Sequence, residues 1–303
     1  MTSRATIAIV GGGLMGHGIA QVFARAGHTV HVHDPSPAIL ATLHERIRRN
    51  LIDLGQDAAV ADRVTAHDAL AAAVHRAAVV FEAGPENLEL KQQIFAAIEA
   101  AAPRNAILAS NTSVIPITRI MSALRYGERA LGTHWWNPPY LVPLVEVIRT
   151  PLTATSTVDS MTALLKGAGK TPVTVEKDVP GFVGNRLQHA LWREAIALVA
   201  EGVCDATTVD TVVKASFGRR LAVLGPLENA DLVGTDLTLA IHETILADLD
   251  RTPGASPYLR ALVASGRLGM KSGEGFRRWS VEQKAAVRRR LLEHLKSLDH
   301  QGI

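Results

Sequence analysis

The 303-residue sequence has one cysteine, no long apolar run and almost no excess of charge of either sign. Because Cys204 has no second cysteine to pair with, an intramolecular disulfide and a cysteine-based zinc cluster are excluded, and no metal site is expected. A lone thiol favours a reducing compartment such as the cytoplasm. The net charge of +3 is too small to favour a nucleic-acid partner. No segment approaches the roughly 20 apolar residues of a membrane span, and the first residues fit no secretory signal.

The length allows two domains of about 150 residues each. Over the first 180 residues, short apolar runs rich in β-branched residues alternate with helical patterns, which predicts a doubly wound, parallel sheet. The strands are predicted at 5–10, 29–33, 77–83, 106–110, 129–133, 144–148 and 171–175. The helices between them are predicted at 14–26, 38–53, 87–101, 116–121 and 156–167.

Beyond Pro180-Gly181 no convincing strand pattern occurs. Helices are predicted at 182–200, 205–217, 226–248, 256–265 and 281–298. The fold class is therefore α/β, with a Rossmann-type doubly wound sheet in a cofactor-binding domain over 1–180. An all-α domain over 181–303 follows, for which we expect roles in substrate binding and dimerisation. Its helices have more apolar surface than a small bundle needs, which predicts a homodimer through this domain.

A glycine-rich segment joins the first strand to the first helix. Gly11, Gly13 and Gly16 satisfy the G-x-G-x-x-G spacing, and Leu14 and Met15 open the helix. The glycines allow a tight turn, close approach of a pyrophosphate and close packing of helix on strand, while the free N–H groups of the helix start bind phosphate. The spacing alone is a weak signal, but its place between a strand and a helix predicts a dinucleotide site.

Asp34 ends the second strand, 18 residues after Gly16. A carboxylate at this point accepts both ribose hydroxyls of NAD and repels the 2′-phosphate of NADP, so NAD is the expected cofactor. The alternative reading is a glycine-rich turn followed by a helix-capping aspartate.

Seven segments together resemble the L-3-hydroxyacyl-CoA dehydrogenase family, in order and spacing, from about residue 5 to 279. They are Pro85–Lys91, Ser110–Ser113, His134–Pro139, Leu144–Val147, Pro180–Arg186, Leu224–Glu228 and Gly266–Phe276. The resemblance implies an NAD-dependent oxidoreductase that interconverts a 3-hydroxy and a 3-keto group. Two features of the sequence also look like its lambda-crystallin/L-gulonate and carnitine dehydrogenase branches: the Pro138–Tyr140 stretch and Asn185–Gln188.

The resemblance also implies catalytic residues. His134 matches the base, Glu146 its carboxylate partner, Ser113 the contact to the substrate hydroxyl and Asn185 an amide beside it, in a cleft between the domains. Glu146 needs a partner on chemical grounds too, because it lies within the apolar run LVEVI. Alternative readings remain open: Ser113 as a helix N-cap and Asn185 as the cap of a turn.

Three further residues match cofactor contacts of the family near the nicotinamide end: Glu86, Lys91 and Asn111. Lys91 has a competing reading as solvated helix surface. Basic residues on the helix after Asp34 are implied to hold the phosphates of CoA, and Arg46, Arg48 and Arg49 are available there.

Two tryptophans follow His134 where the family often has phenylalanines. Strand alternation sends Trp135 and Trp136 to opposite faces, one into the core and one toward the cleft. The added bulk predicts a small substrate. A short-chain 3-hydroxyacyl-CoA such as 3-hydroxybutyryl-CoA, as in fatty acid metabolism, is the leading expectation. The alternatives are a small free hydroxy acid such as L-gulonate or carnitine, or a non-catalytic, crystallin-like NAD-binding protein.

Overall fold

Eight strands form one sheet in the computed structural model, which describes residues 4–301. They are β1 (Thr6–Val10), β2 (Thr29–His33), β3 (Val64–His67), β4 (Val79–Glu82), β5 (Ile107–Ser110), β6 (Ala130–Trp135), β7 (Leu144–Ile148) and β8 (Thr171–Val175). Their order is β3-β2-β1-β4-β5-β6-β7-β8. The first six follow the 3-2-1-4-5-6 order of dinucleotide-binding sheets, so the expected Rossmann-type fold is confirmed.

One pair of neighbouring strands departs from the parallel sheet that the alternation predicts. Strands β6 and β7 are antiparallel, while the other pairs among the eight described strands are parallel. The reason is the connection, because residues 136–143 contain no helix. A parallel pair needs a crossover of a dozen or more residues, whereas a short loop returns the chain in the opposite direction.

The sheet is buried on both faces, as a parallel sheet must be. Along β1, Ile7 and Ile9 pack into one apolar cluster, which contains Phe23 from the first helix. Ala8 and Val10 pack into a second cluster on the opposite face. The near-continuous apolar sequence TIAIV follows from this two-sided burial.

Seven helices accompany the sheet within the described chain: α1 (Leu14–Arg25), α2 (Pro37–Ala41), α3 (Leu43–Asp53), α4 (Leu70–Val74), α5 (Leu88–Ala101), α6 (Ile117–Ile120) and α7 (Thr155–Gly167). The single helix predicted over 38–53 is divided at Thr42 into α2 and α3. The Thr42 hydroxyl donates to the carbonyls of Ala38 (3.3 Å) and Ile39 (3.2 Å). Side-chain bonds of this kind compete with the helical backbone pattern.

The helical part comprises α8 (Gly184–Ala200), α9 (Ala206–Ala215), α10 (Pro226–Val233), α11 (Thr235–Ile245), α12 (Pro257–Ala264) and α13 (Val281–Gln301). The helix predicted over 226–248 breaks at Gly234, whose φ of 101° no right-handed helix accepts. Between residues 187 and 301 the strand pairing is limited to isolated bridges of Glu274 with Gly269 and with Arg278.

The chain divides into two compact units. The first contains 4–186 and 294–301 among the described residues, and the second contains 187–293. The division thus follows residue 186, whereas the domain boundary expected from sequence follows residue 180. Among residues 4–301, no helix is both long enough and apolar enough to cross a bilayer. A cytoplasmic location stays a prediction.

Candidate active site

The glycine loop between β1 and α1 has the shape that a dinucleotide needs. Gly11 has a φ of 106°, and a Cβ there would lie 2.7 Å from the Ala83 carbonyl oxygen. A Cβ on Gly16 would lie 1.7 Å from the Gly11 carbonyl oxygen. By contrast, a Cβ on Gly13 would meet no protein atom within 4 Å, so the space in front of this residue is open. The loop therefore fits the pyrophosphate of NAD.

The start of α1 presents backbone N–H groups that could donate to such a phosphate. Gly13 is the N-cap of the helix and has no side chain to cap it. Leu14 is largely exposed, and Met15 is half-buried against the core beneath the loop. The first N–H groups of a helix have no intrahelical acceptor, and the helix dipole adds positive potential there.

Asp34 lies at the carboxyl end of β2, next to the glycine loop. Its two oxygens accept hydrogen bonds from the backbone N–H groups of Gly12 (2.8 Å) and Ser36 (2.9 Å). The side chain is thus fixed beside the loop, as the ribose contact requires. It does not cap α2, because Ser36 occupies the N-cap position.

A buried ion pair lies at the carboxyl end of β4. The Lys91 ammonium bonds both oxygens of Glu82 (2.8 and 3.0 Å) and the Gly84 carbonyl (3.3 Å). Both charged side chains are fully buried, and the Ser110 hydroxyl donates to Glu82 at 2.7 Å. Lys91 is therefore not solvated surface. Its ammonium is bonded to Glu82 and Gly84 inside the protein, and a contact between Lys91 and the cofactor stays a prediction.

Glu86 organises the turn after β5. One carboxylate oxygen accepts the Thr112 hydroxyl and the N–H groups of Ser113 (3.1 Å) and Val114 (3.1 Å). Beside this turn, the Asn111 side-chain oxygen accepts the Trp135 N–H at 3.0 Å. The residues expected near the nicotinamide thus tie the ends of β4, β5 and β6 to one another.

His134 on β6 and Glu146 on β7 are directly opposite in the antiparallel register. The His134 Nδ1 atom lies 2.6 Å from the Glu146 Oε2 atom, and both residues are at most 4% exposed. Cross-strand neighbours on one face have their Cβ atoms about 5 Å apart, so the pairing follows from the register. The structure therefore brings these two side chains together.

The other oxygen of Glu146 accepts the backbone N–H groups of Val183 (2.9 Å) and Gly184 (3.0 Å), at the start of α8. Burial alone would raise the pKa of the Glu146 carboxyl, but the hydrogen bonds from His134, Gly184 and Val183 outweigh it and lower that pKa. Glu146 is thus held as a carboxylate with both oxygens occupied.

Aromatic side chains enclose the imidazole. The His134 ring centroid lies 5.1 Å from that of Trp136 and 5.6 Å from that of Phe182. Phe182 has a φ of 52°, which is uncommon for a bulky residue, and this explains why the helix predicted from 182 begins two residues later. Trp135 points the other way, into the core against Phe23 at 5.8 Å. The core position predicted for one of the two tryptophans is confirmed for Trp135, while a cleft-facing Trp136 stays a prediction.

Ser113 and Asn185 are joined by a hydrogen bond between a side chain and the backbone. The Asn185 side-chain amide donates to the Ser113 carbonyl at 2.8 Å. The Ser113 hydroxyl makes no hydrogen bond within residues 4–301 and does not cap α6, whose N-cap is Pro116. Gly184 bonds Glu146, and the adjacent Asn185 bonds Ser113. The His134–Glu146 pair and the Asn185–Ser113 pair therefore lie next to each other. All of these residues belong to the first unit, and a cleft between domains stays a prediction.

The arginines expected to hold CoA phosphates are engaged elsewhere. Arg48 pairs with Asp62 at 2.7 Å, and Arg49 pairs with Glu45 at 2.9 Å. Arg46 bonds the glycine loop. The sequence pattern places these residues on one helix, but the partner of each depends on how the helix packs.

The sheet order, the glycine loop and Asp34 define a class of NAD-binding oxidoreductase. Comparison with protein families identifies the family within this class. The model for the "3-hydroxyacyl-CoA dehydrogenase, NAD binding domain" matches residues 6–179, and that for the C-terminal domain of the same family matches residues 181–279. The chain belongs to the 3-hydroxyacyl-CoA dehydrogenase family, whose members are NAD-dependent oxidoreductases.

Among its relatives, the 5-formyl-3-hydroxy-2-methylpyridine 4-carboxylate 5-dehydrogenase of Mesorhizobium japonicum is 37% identical over 290 residues, covering 93% of each chain. The human mitochondrial hydroxyacyl-coenzyme A dehydrogenase is 38% identical over 288 residues, covering 89% of this chain and 90% of the human one. A crystal structure described as a 5-dehydrogenase of the same pyridine carboxylic acid, "an NAD+ dependent dismutase", has a TM-score of 0.91 and 34% identity. It covers 99% of this chain and 98% of its own.

Proposed function

We propose that this protein uses His134 as a general base to interconvert a hydroxyl and a carbonyl group of a compact substrate. The observation that carries the proposal is the 2.6 Å contact between His134 Nδ1 and Glu146 Oε2. Because the carboxylate accepts a hydrogen bond from the Nδ1–H group, the neutral imidazole carries its proton on Nδ1 and keeps its lone pair on Nε2. That nitrogen is the one left to accept the proton of the substrate hydroxyl.

The glycine loop and Asp34 would hold NAD, which would supply the acceptor for the hydride that leaves the hydroxyl-bearing carbon. As the proton moves to Nε2, positive charge develops on His134, and the adjacent Glu146 carboxylate stabilises it. The second Glu146 oxygen is bound by Val183 and Gly184, so the carboxylate cannot turn away from the imidazole. The Ser113 hydroxyl, exposed and without a protein partner among residues 4–301, would bond the substrate oxygen. Asn185 would hold Ser113 in place through its carbonyl.

Two observations favour a small free hydroxy acid over a CoA thioester. The three arginines available for CoA phosphates are each bonded within the protein. Trp136 lies against the His134 ring and narrows the space beside the base. The similarity to a dehydrogenase named for a pyridine carboxylate supports the same reading. A short-chain acyl-CoA such as 3-hydroxybutyryl-CoA is the second candidate, supported by the family match over both domains.

The test compares kcat/KM, by absorbance at 340 nm, for 3-hydroxybutyryl-CoA, free 3-hydroxybutyrate, carnitine, gulonate and a hydroxymethylpyridine carboxylate. We expect kcat/KM for a free acid to exceed kcat/KM for the thioester by at least about tenfold, because the thioester lacks the carboxylate that a polar contact in the pocket would bind. A preference for the thioester would assign the second candidate. No turnover with any compound, despite NADH binding, would contradict the proposed reaction.

The helical unit supports a homodimer. Of residues 187–293, only Leu262 and Gly275 are buried. Large apolar side chains on α11 are about half exposed, among them Leu237, Leu239 and Ile241. A 107-residue unit without a buried core needs a covering surface, and a closed twofold pairing with a second copy is the commonest solution.

A further inference from the structure

Arg46 reaches from α3 to the back of the glycine loop. Its Nη2 atom donates to the carbonyls of Gly12 (2.9 Å) and Ile39 (3.0 Å), and its Nη1 atom lies 3.4 Å from the Gly13 carbonyl. The side chain is half-buried. Unlike Arg48 and Arg49 on the same helix, it has no ion-pair partner within 4 Å among residues 4–301. A charged group with five donors is thus bound to backbone carbonyls of the phosphate loop.

Peptide geometry converts these contacts into an orientation of the loop. In a trans peptide the carbonyl and the N–H of the same unit point in opposite directions. When Arg46 holds the Gly12 carbonyl, the Gly13 N–H must point away from α3. The Gly13 carbonyl is held likewise, which directs the Leu14 N–H. These are the donors at the start of α1 where the pyrophosphate binds, and the space in front of Gly13 is open.

His17 completes the arrangement. Its Nδ1 atom lies 2.8 Å from the Gly13 carbonyl, an acceptor, so this nitrogen carries the proton and donates. Burial lowers the pKa of His17, and the Arg46 charge acts in the same direction, which keeps the ring neutral. Arg46 is consequently the one charged side chain that bonds the Gly12 and Gly13 carbonyls within residues 4–301.

We propose that Arg46 is a positioning residue for NAD: it orients the Gly13 and Leu14 N–H groups toward the pyrophosphate and adds positive charge behind them. Its role follows from NAD binding and does not depend on the identity of the hydroxy substrate.

The test measures NADH affinity by fluorescence titration for Arg46→Met, Arg46→Lys and a matched control, Arg63→Met. Arg63 donates to the Ala24 carbonyl at 3.1 Å, near the opposite end of α1, and so also joins an arginine to backbone carbonyl beside that helix. Melting of each protein without cofactor separates loss of binding from loss of fold.

We expect Arg46→Met to weaken binding of NADH and of ADP-ribose by about tenfold, the equivalent of one good hydrogen bond to a charged group. The KM for NAD should rise by a similar factor with kcat unchanged. Arg46→Lys should recover part of the affinity, because it keeps the charge but loses the planar fork. Arg63→Met should bind NADH as the wild type does.

Wild-type NADH affinity in Arg46→Met would overturn the proposal. So would an equal loss in Arg63→Met, since the effect would then belong to α1 stability. If Arg46→Met does not fold, Arg46→Lys decides alone: unchanged affinity and unchanged KM for NAD would be the contrary result. Because the readouts are cofactor binding and melting, failure here is distinct from failure of the proposed reaction.

Discussion

His134 and Glu146 face each other across an antiparallel strand pair, with Nδ1 and Oε2 2.6 Å apart. Replacing the imidazole removes the proposed base and alters no residue of the glycine loop. We expect His134→Ala to lower kcat by about 10²–10⁴ with NADH affinity nearly unchanged. His75→Ala, which alters an exposed histidine whose ring bonds the Ala72 carbonyl, should keep wild-type kcat. Near-wild-type kcat in His134→Ala would require another base.

The lowered pKa of Glu146 predicts how stability depends on pH. Its ordinary value is 4.5, and the folded value is lower. The bound carboxylate therefore stabilises the fold above 4.5, and this contribution is lost as pH falls through 4.5 toward the folded pKa. Urea unfolding should show a stability gap between wild type and Glu146→Gln at neutral pH that narrows below 4.5. A gap independent of pH would contradict the ionised state.

Asp34 should set the preference for NAD over NADP. Its carboxylate is fixed by two backbone N–H groups, so it cannot turn away from a 2′-phosphate. The kcat/KM ratio of NAD to NADP should be large in the wild type and fall in Asp34→Ala. A wild-type preference for NADP would sink this assignment.

Trp136 should limit substrate length, while Trp135 should not. Trp136→Phe should raise kcat/KM for longer acyl chains by about 10–200-fold, the range of a methylene-scale change in a pocket. Trp135→Phe changes a core residue that is 2% exposed, so it should lower the melting temperature with little change in chain-length preference. Wild-type preference for an eight-carbon or longer acyl-CoA would contradict the small pocket.

The helical unit should be covered by a second copy. Light scattering at micromolar concentration should give twice the mass of the chain. Ile241→Asp, on the exposed apolar side of α11, should shift the protein toward monomer. Ile52→Asp, on α3 of the sheet unit and also well exposed (64% against 49% for Ile241), should leave the mass unchanged. A wild-type monomer would refute the dimer.

Strands with long apolar runs could be predicted from sequence, because two-sided burial leaves a continuous pattern. Val64–His67 could not, since in this four-residue edge strand only Val64 is buried. The helix breaks at Thr42 and Gly234 could not be predicted from sequence either, because the helical spacing of apolar residues continues across each of them. Both positions hold residues that favour a local departure from the helix.

Some residues of the candidate site could likewise be predicted from sequence, and others could not. Glu146 could be picked out because a carboxylate within an apolar strand needs a partner, and Glu82 in AAVVFEA carried that signal as well but was missed. The role of Arg46 had no sequence signal, since its partners are backbone carbonyls brought near by packing. The φ of Phe182 is likewise set by the tertiary structure.

The strand register that aligns His134 with Glu146 makes the geometry of this pair independent of the side chain at Trp136 beside it. The hydrogen-bonded ladder maintains the distance between His134 and Glu146, and both residues lie on the strands, outside the loop over 136–143. That loop carries Trp136, which borders the base. A substitution at Trp136 changes the surroundings of the His134 ring, while the His134–Glu146 pair stays fixed by the strand register. A library randomised at Trp136 alone is consequently a compact starting point for testing other alcohols as substrates.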